Sequence, residues 1–149
     1  MKHESPPPPP HGRDAFASLI NATCERVGVA PAQAWLNLDV KNHQCATFQV
    51  DGVECIVSHG SIDPDALFIH CVFGQVPEAR SAEALLALLQ LNMAMYGGGS
   101  PTFGADTARN LLLCVEERLQ DMRAEDLGQR LENLAMQAIG WRKAWLTHA

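Results

Sequence analysis

A strand–turn–strand pattern in the first half of the chain constrains the fold more than any other feature. It reads ATFQV-DG-VECIV over residues 46–57, and Asp-Gly between alternating apolar residues is a strong signal for a two-residue hairpin turn. Such a loop fixes the register: position 50 lies opposite 53, 48 opposite 55, and 46 opposite 57. One face then carries Val50, Val53, Phe48, Cys55, Ala46 and Val57, and the other carries Gln49, Glu54, Thr47, Ile56, Cys45 and Ser58. One apolar and one mostly polar face predict an antiparallel sheet packed on helices.

The remaining segments extend this hairpin into an α+β domain. Apolar spacing predicts a first helix over residues 14–27, ended by Gly28 and Pro31, and then an extended stretch begun by Trp35, Leu36 and Leu38. The apolar run 66–73 predicts a third, central strand, and residues 101–103 and 109–115 predict two more. A final helix from about residue 124, with Asp121 as its cap, carries the apolar stripe Leu127, Leu131, Leu134, Ala138, Trp141 and Trp145. The predicted order is helix, three strands, helix, two strands, helix.

The middle of these three helices is apolar on more than one side. It is predicted from Ser81, as its cap, to about Tyr96, with Glu83 in the first turn. Its leucines and methionines cannot share one stripe, because residues i, i+1 and i+3 spread around most of the circumference. One side can meet the sheet, and the other most economically meets a second copy of the chain. We therefore predict a homodimer through this helix, in which Asn92 either sets the register as a buried polar group or is solvated.

The chain is long enough for one domain with a tail. It has 149 residues, of which 47% are hydrophobic and 19% charged, as in a globular protein. Residues 1–12 contain five consecutive prolines and are predicted to be a disordered, Pro-rich tail in an extended conformation, which leaves residues 13–149 as the domain. The tail is a solubilising extension or a docking site for a proline-binding partner.

Charge and cysteine content exclude several classes of function. The net charge is −6, so no basic surface for nucleic acid is expected. The longest apolar run falls far short of the ~20 residues that a membrane span needs. Five cysteines without a C-x-x-C motif, and no N-terminal apolar stretch, indicate a reducing cytoplasm.

No residue pattern predicts catalysis, a cofactor or a metal site. The hairpin register points Cys45 and Cys55 to opposite faces, and His70 and Cys71 are adjacent in a strand and therefore also opposed. The triglycine after the middle helix follows a helix instead of opening one, so it is a connector and not a phosphate cradle. The paired carboxylates fall in turns and at element ends, where they are solvated or capping. Buried core thiols are favoured over a cysteine nucleophile.

In its element order and in short motifs from residue 14 to about 146, the chain resembles the class I chaperones of type III secretion, the Tir-chaperone (CesT-like) family. The motifs are Phe16-x-x-Leu19-Ile20 with Gly28, Leu36-x-Leu38, Phe48-Gln49-Val50-Asp51-Gly52-Val53, Gly74-x-x-Pro77, Leu88-Leu89-x-x-Asn92, Pro101-x-Phe103, Leu111-Leu112-Leu113 and the helix with Trp141. The proline tail, the cysteine count and the Gly-rich loop depart from the family pattern and make the partner's identity less transferable.

The resemblance implies a non-enzymatic homodimer in the bacterial cytoplasm. It would bind the N-terminal region of a secreted effector in extended form, keep it secretion-competent and release it to the secretion apparatus, whose ATPase is a candidate further partner. Such a client is held by apolar patches and by pairing with a sheet edge. The candidate effector-binding residues are Phe16, Leu19, Ile20, Phe48, Val50 and Val53, which ordinary amphipathic packing would equally make core. The candidate dimer-interface residues are Leu85, Leu88, Leu89, Asn92, Met93 and Phe103.

Other classes of function remain open on the sequence alone. An adaptor on the same fold would bind a folded regulatory partner, and an enzyme would need an accessible thiol of low pKa. A chaperone built from helical repeats is disfavoured, because the strand signals are strong and a ~34-residue period is missing.

Overall fold

The computed structural model describes residues 12–36, 44–60, 62–97 and 100–146. The side chains of residues 13, 145 and 146 lie outside this description, as do residues 1–11 of the predicted tail, Leu38 and two residues of the triglycine connector. The elements in chain order are α1 (Gly12–Val27), α2 (Pro31–Ala34), β1 (Trp35–Leu36), β2 (Gln44–Val50), β3 (Val53–His59), β4 (Ala66–Gln75), α3 (Ser81–Met95), β5 (Thr102–Ala105), β6 (Asn110–Arg118), a 3-10 turn (Leu119–Asp121) and α4 (Ala124–Leu146).

The strands form one antiparallel six-stranded sheet in the order β1-β2-β3-β4-β6-β5. The predicted α+β fold is confirmed, and so is every pair of the predicted hairpin register, from Val50 opposite Val53 to Cys45 opposite Ser58. Asp51 and Gly52 both have positive φ, at 50° and 79°, as a type I′ turn requires. The strand β4 lies inside the sheet between β3 and β6, as its apolar run predicted.

Helices α1 and α4 cover one face of the sheet and form the core with it. The stripe on α4 is confirmed for the residues described: Leu127, Leu131, Leu134 and Ala138 are buried, and Trp141 packs against the core. Helix α1 ends in Gly28 at φ 76°, and the amide of Val29 donates to the carbonyl of Cys24 in a Schellman-type cap.

Three predicted boundaries and caps are wrong. Helix α1 begins at Gly12, which the sequence places in the tail. Gly12 lies close to Pro64, where a Cβ would overlap the Pro64 carbonyl oxygen. Ser81 is the first residue of α3 and makes no cap; Arg80 precedes it and pairs with Glu83. Asp121 belongs to the 3-10 turn, so it does not cap α4.

The cap of α4 comes instead from inside its first turn. A carboxylate oxygen of Asp126 accepts a hydrogen bond from the backbone N–H of Arg123 at 3.0 Å. This bond lowers the pKa of Asp126 below its ordinary value. At the other end of α4, the guanidinium of Arg142 donates to the carbonyl of Phe73 at 3.0 Å, where β4 carries an irregularity. Both ends of the longest helix are therefore fixed by polar contacts.

Candidate binding surfaces

The two edges of the sheet differ in whether their backbone groups are satisfied. At the β5 edge, the side-chain amide of Asn92 on α3 accepts a hydrogen bond from the Phe103 N–H at 2.6 Å and donates to the Phe103 carbonyl at 2.9 Å. These are the two bonds that a neighbouring strand would make. Helix α3 thus covers this edge and closes it to a further strand.

The opposite edge is only partly paired. The short strand β1 pairs with Cys45 and Ala46 of β2, and within the described residues no strand pairs with positions 47–50 on that side. Because Val50 and Val53 close a two-residue turn, the backbone groups of positions 50 and 48 face β3. Those of Thr47 and Gln49 therefore point outward. Helix α2 also contacts β2, whereas Gln49 near the end of the strand is exposed. The last residues of β2 therefore have the geometry to accept one more strand.

A groove lies directly beside this free edge. It has a volume of about 230 Å³ and lies between the end of α1, the end of β2 and one face of α4. The residues that line it are Val27, Val29, Phe48, Gln49, Val50, Asp51, Gly128, Leu131 and Glu132. Val27 is 47% exposed, and Val29 and Val50 are partly exposed, so apolar surface is available inside the groove. Asp51 and Glu132 add acidic groups to its rim.

Most candidate effector-binding residues lie in the core of the chain. Phe16, Ile20 and Val53 have no exposed surface, and Leu19 and Phe48 are also buried. The ring of Phe16 stacks on His59 with centroids 5.2 Å apart and meets Trp35 edge-on. Of the six candidates, only Val50 is partly exposed, and it lines the groove together with Phe48. The other five candidates are therefore core residues in the single chain, which is one of the two alternatives that the sequence left open.

The candidate dimer-interface residues divide between the two sides of α3. Leu88 and Phe103 are buried within the chain, and Asn92 is occupied at the β5 edge. Leu85, Leu89 and Met93 lie on the outer side, where they are 38%, 65% and 81% exposed. The outward apolar stripe consists of Leu85, Leu86, Leu89 and Met93 on α3 and of Tyr96, the residue directly after the helix. Helix α3 is therefore apolar on two sides, as the sequence predicts. One side faces the chain itself, and the other is left uncovered in the monomer.

Burial shifts the pKa of several thiols and of one imidazole among the described residues. Burial raises the pKa of Cys24, Cys45 and Cys114 and lowers the pKa of His70. The described residues contain no cluster of three or more His, Cys, Asp or Glu side chains that could hold a metal ion. No helix in the part of the chain described is long and apolar enough to cross a membrane.

A sequence model of the Tir chaperone protein (CesT) family matches residues 36–142. The chain belongs to the Tir chaperone family. The match spans the whole sheet except for Trp35, and α3 and most of α4 with it. A search of the curated proteins finds no match.

Several solved structures share the fold of this chain. One is the Yersinia pestis type III secretion chaperone SycH in complex with a stable fragment of YscM2. The matched chain is 17% identical to this one in sequence, with a TM-score of 0.57, and the alignment covers 84% of this chain and 98% of the matched chain. A chain of the ExsC–ExsE complex is 15% identical, with a TM-score of 0.61 and coverages of 87% and 92%. A chain of the HopA1–SchA chaperone–effector complex is 14% identical, with a TM-score of 0.59 and coverages of 87% and 94%. At these identities the comparisons establish the fold.

Sequence reasoning missed the features that define these surfaces. The free edge of β2 depends on the strand order and on the shortness of β1, neither of which has a local signal. The sequence predicts Asn92 either as a buried polar group that sets the register or as a solvated side chain, and neither alternative includes its hydrogen bonds to Phe103 on β5. Arg142 lies in the last turns of the final helix, and no pattern in the sequence indicates that it donates to β4 carbonyls.

Proposed function

We propose that this chain is a type III secretion chaperone that binds the N-terminal region of a cognate effector in extended form. In this role it keeps the effector soluble and competent for secretion and hands it to the secretion apparatus, without catalysis of its own, in the bacterial cytoplasm. Membership of the Tir chaperone family supports the proposal, and so does the fold shared with a chaperone whose complex with an effector has been solved. The observation that carries it is the free edge of β2 next to an apolar groove.

The groove and the edge together fit an extended segment. A client strand placed along β2 would pair with the outward backbone groups of Thr47 and Gln49, which gives affinity without sequence preference. Alternate side chains of that strand point to one side, so an apolar one can enter the groove against Val27, Val29 and Val50. The acidic rim at Asp51 and Glu132 favours a client with Lys or Arg beside its apolar residues.

The test uses a variant that alters the groove while sparing the core. Val27 is 47% exposed at the last turn of α1, where a cation is favourable to the helix dipole, so Val27→Lys is expected to fold normally. Met136 on α4 is 68% exposed and does not line the groove, so Met136→Lys is the matched control. Each chain is co-expressed with the proteins encoded beside its gene, and the affinity for the one that co-purifies is measured by titration calorimetry.

We expect Val27→Lys to weaken that affinity about tenfold or more, because it places a charge on the apolar wall of the groove, and Met136→Lys to leave it unchanged. Limited proteolysis of the complex should protect an N-terminal segment of the partner that lacks a fold of its own. Equal affinities for both variants would refute the groove as the binding site. A partner that binds only when natively folded would refute the export role and favour the adaptor.

We further propose that the chain is a homodimer through the outward stripe of α3. This stripe exposes five large apolar side chains, four on α3 and Tyr96 directly after it, which is more than a monomer ordinarily leaves in water. Leu89→Glu places a charge at the centre of this stripe, and Gln90→Glu adds the same charge at a neighbouring exposed position. Light scattering should give half the wild-type mass for Leu89→Glu and the wild-type mass for Gln90→Glu. An unchanged mass for a folded Leu89→Glu chain would refute this interface.

A further inference from the structure

Two cysteines lie directly opposite each other on neighbouring strands in the core. Cys55 on β3 is the register partner of Cys71 on β4, and their Sγ atoms are 3.0 Å apart. Neither residue has exposed surface. The free thiols of Cys24, Cys45 and Cys114 have no such partner among the hydrogen bonds of the described residues. Cys55 and Cys71 therefore differ from the three other cysteines in that their sulfur atoms are in contact.

The strand register places this pair at a site suited to a covalent link. Because the type I′ turn makes Val50–Val53 a hydrogen-bonded pair, Phe48–Cys55 is one as well, and the backbone groups of Cys55 face β2. Cys55 and Cys71 consequently form a non-hydrogen-bonded pair, in which the Cα atoms of opposed residues are about 4.5 Å apart and the side chains are closest. Disulfides span Cα separations of about 4.4–6.8 Å. The sheet can thus accept a cross-strand bond with little movement.

We propose that Cys55 and Cys71 are an oxidisable dithiol, which a small two-electron oxidant such as hydrogen peroxide closes to a cross-strand disulfide in the folded chain. In the first step the Cys55 thiolate attacks a peroxide oxygen and hydroxide leaves, which gives a sulfenic acid. In the second step the Cys71 sulfur attacks the sulfenic sulfur, and the hydroxyl group leaves as water with the Cys71 proton. Two thiols and one peroxide give one disulfide and two waters.

The difference in pKa between the two thiols determines which one reacts first. Either sulfur can donate the hydrogen bond between the two thiols, and this bond lowers the pKa of Cys55 and raises that of Cys71. Burial raises the pKa of the three other cysteines. Because the thiolate is the form that peroxide oxidises, Cys55 is the preferred point of attack and Cys71 resolves the sulfenic acid. This inference depends only on the sheet geometry and stands or falls independently of effector binding.

The experiment uses the full chain with Cys24, Cys45 and Cys114 replaced by Ala, so that only the pair remains. The folded, reduced protein is treated with hydrogen peroxide, quenched, alkylated and weighed by mass spectrometry. We expect a loss of about 2 Da, no alkylation of either sulfur, and one cross-linked peptide that joins Cys55 to Cys71. The wild-type chain should yield the same cross-link. Cys55→Ser and Cys71→Ser, made in the three-alanine chain, are the controls and should show no loss of 2 Da.

Thermal unfolding provides an independent measurement on the same samples. The link closes a loop between residues 16 positions apart, which should raise the Tm by about 6–12 °C, reversed by dithiothreitol. Alkylation of both thiols after peroxide treatment would overturn the proposal. So would a disulfide that forms only after unfolding in urea, because the native register would then not be what brings the sulfurs together.

Discussion

The substitution Asn92→Ala tests whether one side chain closes an edge of the sheet. In the native chain the Asn92 amide makes both hydrogen bonds that a strand beside Phe103 would make, at 2.6 and 2.9 Å. Alanine cannot make either bond and leaves two backbone groups of a part-buried residue without their partner. The main contact of α3 with the rest of the chain is with β5, so the loss falls where this helix is attached.

The expected cost follows from the two bonds. Each contributes about 0.5–1.5 kcal/mol, and the higher helix propensity of Ala returns roughly 0.5 kcal/mol, so the free energy of unfolding should fall by about 0.5–2.5 kcal/mol. For a chain of this size that corresponds to a Tm lower by about 1–10 °C. Thermal unfolding followed by circular dichroism measures it, at several fixed protein concentrations, because dimerisation would also raise the Tm.

Two further variants separate edge closure from a general effect of altering α3. Gln90 is exposed on the same helix, so Gln90→Ala should change the Tm little. Asn92→Asp keeps an acceptor for the Phe103 N–H but places a carboxylate oxygen against the Phe103 carbonyl, so it should be at least as destabilising as alanine at neutral pH. A Tm for Asn92→Ala equal to that of Gln90→Ala would refute the reasoning, because it would mean that the two bonds contribute nothing.

Three other predictions concern the core, the open sheet face and the end of α4. Phe16→Ala should cost about 3–5 kcal/mol in urea unfolding, since the ring is fully buried against His59; a cost below 1 kcal/mol would contradict a core role. Burial lowers the pKa of His70, so the unfolded chain binds a proton at this residue more readily than the folded chain, and stability falls as the pH drops below about 6.5. His70→Gln should flatten the dependence of the free energy of unfolding on pH in this range. An unchanged dependence would exclude His70 as its source. Arg142→Ala removes the bonds to the Val72 and Phe73 carbonyls and should cost about 1–3 kcal/mol, whereas a Tm within 1 °C of wild type would show those bonds to be dispensable.

The parts of the fold that the sequence predicted are those with a local physical cause. A two-residue turn with positive φ at both positions admits one register, and each pair of β2 with β3 follows from it. The stripe on α4 is visible because helical periodicity extends over many turns. The caps of α3 and α4 could not be predicted in the same way, because several polar residues stand near each start and packing decides which one caps. The elements α2 and β1 are too short to carry a period.

The candidate site was harder to predict, because a core residue and a client-binding residue carry the same apolar signal. Phe16 and Val27 both lie on α1, yet the first is fully buried and the second is 47% exposed. The difference arises from what the rest of the chain places over each position: His59 and Trp35 cover Phe16, whereas Val27 lies at the mouth of the groove. No spacing within the helix contains that information. The free edge of β2 likewise exists only once the strand order is known.

The two unlike edges set the distance that an effector would have to span. Neighbouring strands are about 4.8 Å apart, so β2 lies about 19 Å from β5, with α3 beyond it. A dimer through the outward stripe of α3 would turn its two β2 edges away from each other, with the grooves on the order of 60 Å apart once the helix layers at 8–10 Å are included. An extended chain covers about 3.3 Å per residue, so one client needs roughly 18 residues or more between its two groove-binding segments.

Peptides of about 10 residues should therefore bind with two per dimer, each with the affinity of a single groove. A client long enough to reach both grooves should bind with one per dimer and with much higher affinity, because its two binding segments are linked. One short peptide per dimer would contradict this arrangement, because it would require the two grooves to meet.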